Sequence, residues 1–287
     1  MKPANVRQFF QQFPTDEICL EHLFKVRFGQ GHTCSKCKKK SNWYRIQAEQ
    51  AFSCQWCGHH LHPMVGTIFE KSSTPLQLWF FAIFLFTTTR NGVSAKELER
   101  QLGVTYKTAW RMGHKIREHI AAVDGDDMLG GVVEVDETFV GGYKKGGQGG
   151  KGKDVVLGMA EKGGDIVTEV VTGRTSKDLI PHIVDHVELG SEVHTDEHRS
   201  YLILSETDDY EHKSVDHSKK QYVGATGETT NMIEGFFSQL KRTIGGTHIW
   251  VSGKYLANYA KECEYRFNRR KSPASMLPEL LTTFPKP

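Results

Sequence analysis

The chain has 287 residues, of which 38% are hydrophobic and 25% charged, a composition typical of soluble globular proteins with two or three domains. Its longest apolar run, residues 76–86, is shorter than the roughly 20 residues that a membrane-spanning helix needs. We therefore predict a buried helix there and no membrane partner, and, because no apolar leader precedes a cleavage site, a cytoplasmic protein.

The net charge of +3 is unevenly distributed along the chain. Residues 1–124 carry 17 Lys and Arg against 9 Asp and Glu, a net of +8. Residues 125–240 carry 11 against 22, a net of −11, and residues 241–287 carry 9 against 3, a net of +6. This order favours polyanion-binding segments around a cation-binding centre, although solvated surface charge would give a similar pattern.

After a helical segment over residues 1–30, four of the six cysteines form two C-x2-C pairs, Cys34 with Cys37 and Cys54 with Cys57. Two such thiolate pairs, with a 16-residue spacer that suits a short hairpin, are typical of a closed tetrahedral Zn²⁺ site. Gly58 fits the turn that follows the second pair. We predict a zinc ribbon over residues 31–64 with structural zinc; two disulfides or a redox pair are less consistent with a reducing compartment.

Residues 65–124 are predicted to be a helical DNA-binding domain that contains a helix-turn-helix. In "GVSAKELERQLGVTYKTAWRMGHKIREHI", Ser94 can cap the first helix, Gly103 lies in the turn, and Thr105 can cap the second helix. The outward side of the second helix would present side chains to phosphates and base edges: Tyr106, Lys107, Arg111 and Lys115. A plain helical hairpin would show a similar pattern.

The acidic middle of the chain changes to strand patterns. Strands are predicted at residues 132–140, 154–162, 165–174 and 191–196, with a helix at 176–189 before the last of them. Three strands, a helix and a fourth strand that ends on an acid match the start of an RNase H-like α/β core. The glycine-rich stretch 141–153 mimics a phosphate-binding loop, but a strand follows it, so we interpret it as a mobile hairpin tip that could touch DNA.

Three carboxylates of this region could converge on one site. Asp136 lies within a predicted strand, Asp196 ends another, and Glu234 lies on the amphipathic helix "TNMIEGFFSQLKR". Such a set can hold two Mg²⁺ ions roughly 4 Å apart for phosphodiester chemistry. As alternatives, Asp136 could be a solvated strand residue, and Asn231 with Glu234 could form a helix cap.

The ordered segments "CSKC…CQWCG", "EVDETFVGG", "HTDEHRSY", "TNMIEGFFSQLKRTIGGTH" and "YRFNRR" resemble the DDE transposases of bacterial insertion sequences. More closely, they resemble the IS1595 family, which has an N-terminal zinc ribbon. The resemblance implies a multidomain α+β protein: zinc ribbon and helix-turn-helix, then an RNase H-like α/β catalytic core over residues 125–272 and a C-terminal tail over 273–287.

By position, the resemblance implies that Asp136 and Asp196 are the first two catalytic acids and Mg²⁺ (or Mn²⁺) ligands. Glu234 is the expected third catalytic acid and metal ligand, because Lys241 follows it seven residues later. Some branches of the family have Asn as the third member, which would make Asn231 the alternative. Phosphate contacts are expected from four basic residues: Lys241, Arg266, Arg269 and Arg270. As the alternative, these four could be ordinary solvated basic positions.

The implied activity is metal-dependent 3′-end cleavage and strand transfer at terminal inverted repeats. The expected partners are double-stranded DNA, both transposon ends and target, and a second copy of the chain in a homodimer or higher oligomer working in the nucleoid. Two alternatives are an RNase H-fold nuclease or resolvase that cuts without joining, and a catalytically inactive zinc-ribbon DNA-binding regulator.

Overall fold

The computed structural model describes residues 5–125, 128–141, 152–215 and 229–285. The chain divides into two compact units, residues 1–119 with 272–287, and residues 120–271. Most of the predicted glycine-rich hairpin tip lies outside the described residues. No helix in these described ranges is long and apolar enough to cross a membrane.

The first unit begins with two helices and a small antiparallel sheet. Helices α1 (Val6–Gln12) and α2 (Asp16–Arg27) are followed by strands β1 (Trp43–Ile46), β2 (Ala51–Cys54) and β3 (His60–Leu61). The spacer between the cysteine pairs thus forms the β1–β2 hairpin that its pattern indicates.

Three helices complete the middle of this unit: α3 (Leu76–Thr88), α4 (Ala95–Leu102) and α5 (Tyr106–Asp124). The apolar run forms α3 and is largely buried, as predicted. Ser94 Oγ accepts a hydrogen bond from the Glu97 N–H at 3.1 Å and so caps α4. Gly103 ends α4 with φ +65°, a left-handed conformation that glycine adopts without steric cost.

The second unit is built on a five-stranded mixed sheet. Its strands are β4 (Val132–Val140), β5 (Asp154–Glu161), β6 (Ile166–Val171), β7 (Glu192–Asp196) and β8 (Glu211–Val215), in the spatial order β6-β5-β4-β7-β8. Strands β4, β5 and β6 are antiparallel neighbours, whereas β7 lies parallel to both β4 and β8. The sequence patterns predicted four of these strands; β8, with its polar sequence "EHKSV", was not predicted.

Helices cover both faces of this sheet, because alternate residues of a strand point to opposite sides. On one face, Val133 and Val135 of β4 pack in a cluster with Leu179 and Ile183 of α6 (Ser176–His186). On the other face, Val156 of β5 packs with residues of α7 (Asn231–Thr243) and α8 (Gly253–Asn268). Glu134 and Asp136 belong to the β4 face that α7 covers.

The segment expected to be a C-terminal tail contains helix α9 (Met276–Thr282), which belongs to the first unit. Leu280 and Leu281 are buried, and His119 Nε2 lies 2.8 Å from the Leu280 carbonyl oxygen. These contacts make α9 part of the core of the first unit, a role that its position at the end of the sequence does not reveal.

Candidate functional site

Two neighbouring parallel strands bring Asp136 and Asp196 together. Glu134 of β4 pairs with His194 of β7, so two residues further along each strand the register leads to Asp136 and Asp196. Oxygens of Asp136, Glu137 and Asp196 all lie within 4.8 Å of one another. The structure therefore joins the first two predicted acids in one cluster that could hold a metal ion.

Local backbone hydrogen bonds orient the two aspartates. Asp136 Oδ1 accepts the N–H of Glu137 at 2.8 Å, and Asp196 Oδ1 accepts the N–H of His198 at 2.9 Å. Each bond fixes one oxygen of its carboxylate against the backbone that follows. The two carboxylates are thus held in defined positions next to each other.

The electrostatics of this cluster favour a bound cation. Burial raises the pKa of Asp136 to about 7, and repulsion from Glu137, Asp196 and Glu234 adds to the rise, against the opposing effect of the Glu137 N–H. Crowded carboxylates resist ionisation together unless a positive charge joins them. A divalent ion at this point would reverse the perturbation and stabilise the ionised Asp136.

Glu137 is the third carboxylate of the close cluster, and it is already paired within the protein. Its side chain is fully buried and forms an ion pair with Arg174. The hydroxyl of Tyr201 donates a hydrogen bond to Glu137 Oε2 at 2.5 Å. Burial, followed by the charge of Glu137, raises the pKa of Tyr201 well above its usual value. Sequence reasoning missed this Arg174–Glu137–Tyr201 network, since nothing local in the sequence links three residues so far apart.

Glu234 lies one turn into α7, and its Oε1 accepts a hydrogen bond from Thr230 Oγ1 at 2.9 Å. Among the described residues, the cluster with oxygens within 4.8 Å does not include Glu234, yet its charge contributes to the raised pKa of Asp136. Asn231 is the first residue of α7, is exposed, and donates its N–H to Thr229 Oγ1 at 2.9 Å. The cap position preceding α7 belongs to Thr230, not to Asn231.

The N-terminus of α7 is fixed to the sheet by a buried acid that sequence reasoning did not identify. Glu134 Oε2 accepts the N–H groups of Met232 at 2.7 Å and Ile233 at 3.1 Å. Glu134 Oε1 accepts the Thr229 hydroxyl at 3.2 Å, and the residue is only 2% exposed. A carboxylate in this position satisfies unpaired helix donors and interacts favourably with the positive end of the helix dipole.

Strand β7 adds a second contact to the same turn. His194 Nδ1 accepts the Thr229 N–H at 3.2 Å, and its Nε2 lies 2.5 Å from Glu192 Oε1. Lys213 of β8 donates to the other oxygen of Glu192 at 2.7 Å. Glu134 and His194 each lie two residues before one of the aspartates, so the strands that carry Asp136 and Asp196 also position the helix that carries Glu234.

The predicted phosphate-binding residues of this unit have different surroundings. Lys241 is exposed on α7 and forms no ion pair with any described residue. Arg266 forms a nearly buried ion pair with Glu262 at 2.6 Å, and Arg269 pairs with buried Asp124. Arg270 donates to the Gly164 carbonyl at 2.9 Å. Lys241 is therefore more accessible to a phosphate than Arg266.

On α5, three of the four residues that were predicted to face outward are exposed. Tyr106, Lys107 and Arg111 are exposed and Lys115 is half-buried. The Lys96 ammonium lies 4.8 Å from the centre of the Tyr106 ring. The opposite side of α5 is fully buried through Ala109, Met112 and Ile116. A mixed aromatic and basic face is thus presented to solvent.

The four cysteines of the ribbon are arranged as zinc ligands. The sulfurs of Cys34 and Cys57 are 3.7 Å apart and those of Cys37 and Cys54 are 3.9 Å apart, while all four lie within 4.8 Å of one another. A tetrahedral site with Zn–S bonds of about 2.3 Å requires sulfurs about 3.8 Å apart. All six cysteines are free thiols, which excludes the disulfide alternative in this structure.

Turns shape the two cysteine pairs, and hydrogen bonds support the thiolate form of Cys54. Lys38 and Gly58, which follow the two pairs, have φ of +60° and +67°, and each donates its N–H to the first cysteine's carbonyl. Burial opposes ionisation of Cys54, but bonds from the Ser41 hydroxyl and from the N–H groups of Trp56 and Cys57 lower its pKa to about 6. The four residues could therefore bind Zn²⁺.

Comparison with known proteins places the chain among transposases. Residues 14–60 match the transposase zinc-ribbon domain, and residues 128–268 match the ISXO2-like transposase domain. Both domains are those of the IS1595 transposases, and the chain belongs to that family.

Two relatives agree with this assignment. An uncharacterised protein in the transposable element ISH50 of Halobacterium salinarum is 26% identical over 275 residues, which cover 88% of this chain and 91% of the relative. An uncharacterised transposase-like protein of Haemophilus influenzae is 31% identical over 118 residues, 40% of this chain and 93% of the relative.

Proposed function

We propose that this transposase binds the terminal inverted repeats of its insertion sequence, cleaves the 3′ ends with metal-activated water, and joins the freed 3′-hydroxyls to target DNA. The observation that carries the proposal is the convergence of Asp136 and Asp196 at neighbouring parallel strands, with the charge of Glu234 acting on Asp136. The order of strands and helices in the second unit supports an RNase H-like core.

Two Mg²⁺ or Mn²⁺ ions would be held by Asp136, Asp196 and Glu234. Carboxylate oxygens are the ligands that these hard cations prefer, and two such ions can serve an in-line displacement at phosphorus. Glu234 is favoured over Asn231 because its anionic charge already acts on Asp136, whereas Asn231 is an exposed residue at the very start of α7. The protein's own contribution is to fix these carboxylates through backbone hydrogen bonds and the anchoring of α7.

DNA binding would be shared between the two units. In the first, a structural zinc held by the four cysteines would stabilise the ribbon, and the exposed face of α5 would contact the repeats as the second helix of a helix-turn-helix. In the second, Lys241 would contact a phosphate near the carboxylates. Arg270 remains a candidate, whereas Arg266 and Arg269 are engaged by Glu262 and Asp124 and are the weaker candidates of the four. Joining two ends at once requires at least two copies of the chain. We expect this complex to work in the cytoplasm, in association with the nucleoid.

The proposal can be tested on duplexes that end in the inverted repeats flanking the gene, incubated with target plasmid and Mg²⁺ or Mn²⁺. Wild type should release 3′ ends and produce joined products. Asp136→Asn, Asp196→Asn and Glu234→Gln should abolish both steps while DNA binding in gel shifts is retained. Asn231→Ala should retain activity.

Each alternative predicts a different result in the same assay. Cleavage without joined products would identify a nuclease or resolvase. Repeat binding without cleavage in wild type would identify a DNA-binding regulator and refute the enzyme proposal. Loss of activity in Asn231→Ala, with activity retained in Glu234→Gln, would identify Asn231 instead of Glu234 as the third metal ligand.

A further inference from the structure

A cavity of about 350 Å³ lies at the end of β4, next to the C-terminal part of α7. Its walls combine apolar surface with two lysines and include Phe139, Lys153, Lys241, Gly245, Ile249 and Trp250. The volume falls at the lower end of the range of about 300–1,000 Å³ found for small-ligand pockets. A ligand of the size of one nucleotide is therefore a suitable occupant.

The apolar part of this wall is unusually exposed. Trp250 is 62% exposed and Ile249 85% exposed, although both are large hydrophobic residues. Ile249 also has φ +66° and ψ −52°, the conformation of a γ-turn, which is rare and costly for a β-branched residue. A π-helical turn, Ile244–His248, leads from α7 directly into this strained position. The chain thus maintains a strained backbone that presents an indole ring to solvent.

The polar part of the wall selects for an anion. Lys153 and Lys241 are both exposed and form no ion pair with any described residue. A solvent-exposed tryptophan flanked by exposed lysines is the combination that binds single nucleic-acid strands, in which bases stack on aromatic rings while cations contact phosphates. The lysines argue against an apolar peptide as the occupant.

The cavity is also within reach of the acidic cluster. Along β4, Phe139 lies three residues after Asp136, about 10 Å at the usual strand rise. Along α7, Lys241 lies seven residues after Glu234, also about 10 Å. This distance corresponds to about three stacked nucleotides of B-form DNA. We propose that the cavity binds a nucleobase that has left the DNA stack. The ring of the base would stack against Trp250, and the backbone phosphates beside it would contact Lys153 and Lys241. The assignment of DNA as the polymer rests on the proposed function.

The test compares two DNA duplexes of equal length and sequence, one of which has a single unpaired thymine at its centre. Affinities are measured by fluorescence anisotropy with the full chain in the absence of Mg²⁺ and Mn²⁺. Wild type should prefer the bulged duplex. Trp250→Ala should weaken binding of the bulged duplex by about 5- to 150-fold, the range that base–aromatic stacking implies, and leave the paired duplex unchanged.

Three further variants make the result specific. Trp250→Phe should keep most of the preference because it retains an aromatic ring. Tyr44→Ala removes an aromatic side chain of similar exposure, 60%, from the ribbon and should keep the full preference. The double variant Lys153→Ala/Lys241→Ala should lower the preference for the bulged duplex while Trp250 stays in place. It therefore tests the site independently if the Trp250→Ala variant misfolds.

Equal affinity of wild type for the two duplexes would overturn the inference, as would an unchanged preference in folded Trp250→Ala. This outcome is distinguishable from failure of the proposed function, because the binding assay requires no cleavage. A Trp250-dependent preference in a chain that never cleaves DNA would keep the base-binding site and reject the transposition chemistry. Cleavage that depends on Asp136, without a preference for the bulged duplex, would support the transposition chemistry and reject the base-binding site.

Discussion

Gly158 of β5 is the position where the structure makes its sharpest packing prediction. It lies directly opposite Asp136 in the antiparallel ladder, and α7 passes over it. A Cβ added there would lie 2.5 Å from Ile233 Cδ1 and 2.9 Å from two ring carbons of Phe237. Carbon atoms normally approach to about 3.5–4.0 Å, so Gly158→Ala requires α7 or these side chains to move by about 1 Å.

The expected cost follows from how tightly this region is packed. Ile233 is fully buried and Phe237 is 4% exposed, so neither side chain has open space to enter. Overpacking of this kind costs about 1–3 kcal/mol, offset by less than about 1 kcal/mol because alanine restricts the unfolded chain. We expect Gly158→Ala to lower the free energy of unfolding by about 1–2 kcal/mol.

The effect on activity should exceed the effect on stability. Glu234 directly follows Ile233, so a displacement of α7 moves Glu234 relative to Asp136. A misplacement of about 1 Å in a catalytic group can cost about 100-fold in rate. Cleavage of inverted-repeat duplexes should therefore fall by about that factor in Gly158→Ala.

Urea denaturation of a double-mutant cycle tests the reasoning directly. Ile233→Val removes the Cδ1 atom that clashes and alone costs about 0.5–1.5 kcal/mol. Combined with Gly158→Ala, the loss should be smaller than the sum of the two single losses by at least about 0.5 kcal/mol. Gly235→Ala is the matched control, because a Cβ there meets nothing within 4 Å and should stabilise α7 by about 1 kcal/mol. Additive losses, or wild-type stability and cleavage in Gly158→Ala, would show that the close contact does not set the position of α7.

Three further predictions follow from the charges and ligands of the site. The pKa of Asp136, raised from 3.8 to about 7, means that the metal-free native state holds a proton that the unfolded state releases, so its stability falls as pH rises from about 4 to 7. At pH 8 without Mg²⁺, Asp136→Asn should therefore raise the free energy of unfolding by up to about 4 kcal/mol. This gain in stability should shrink below pH 7. A gain that does not depend on pH would contradict the prediction. Glu134→Ala should lower the free energy of unfolding, measured by urea denaturation, by about 2–4 kcal/mol and should weaken Mn²⁺ binding. Glu134→Gln keeps an acceptor oxygen and should lose about half as much. Equal losses in the two variants would argue against the helix-anchoring role. Cys37→Ser should reduce bound zinc from about one ion per chain, measured by atomic absorption, while Cys19→Ala should retain it; unchanged zinc in Cys37→Ser would refute the four-cysteine site.

Much of the secondary structure could be predicted from local sequence. The C-x2-C pairs define the ribbon, Ser94 and Gly103 mark the ends of α4, and periodicity reveals β4 and α7. These signals are local, because a cap, a turn or a strand repeat is determined by residues within a few positions of one another.

What the sequence could not provide depends on the register between distant segments. Glu134 accepts the first N–H groups of α7 across a separation of about 98 residues, and Gly158 is needed because Ile233 and Phe237 lie above it. Neither residue carries a recognisable motif, and an acid in a strand with no visible partner is usually interpreted as solvated. Helix α9 was also missed, because its burial depends on α2 and α3 at the other end of the chain.

Strand β4 shows why we propose a metal ion at this site. It carries three acids within four residues: Glu134, Asp136 and Glu137. The charge of Glu134 faces the N-terminus of α7, and the charge of Glu137 is paired with Arg174. Within the described residues, no cationic side chain forms an ion pair with Asp136, and its surroundings are buried and negative. The fold itself therefore neutralises the charges of Glu134 and Glu137, whereas Asp136 has no cationic partner among the described residues. Under the proposed function, this asymmetry separates the catalytic carboxylate from its structural neighbours.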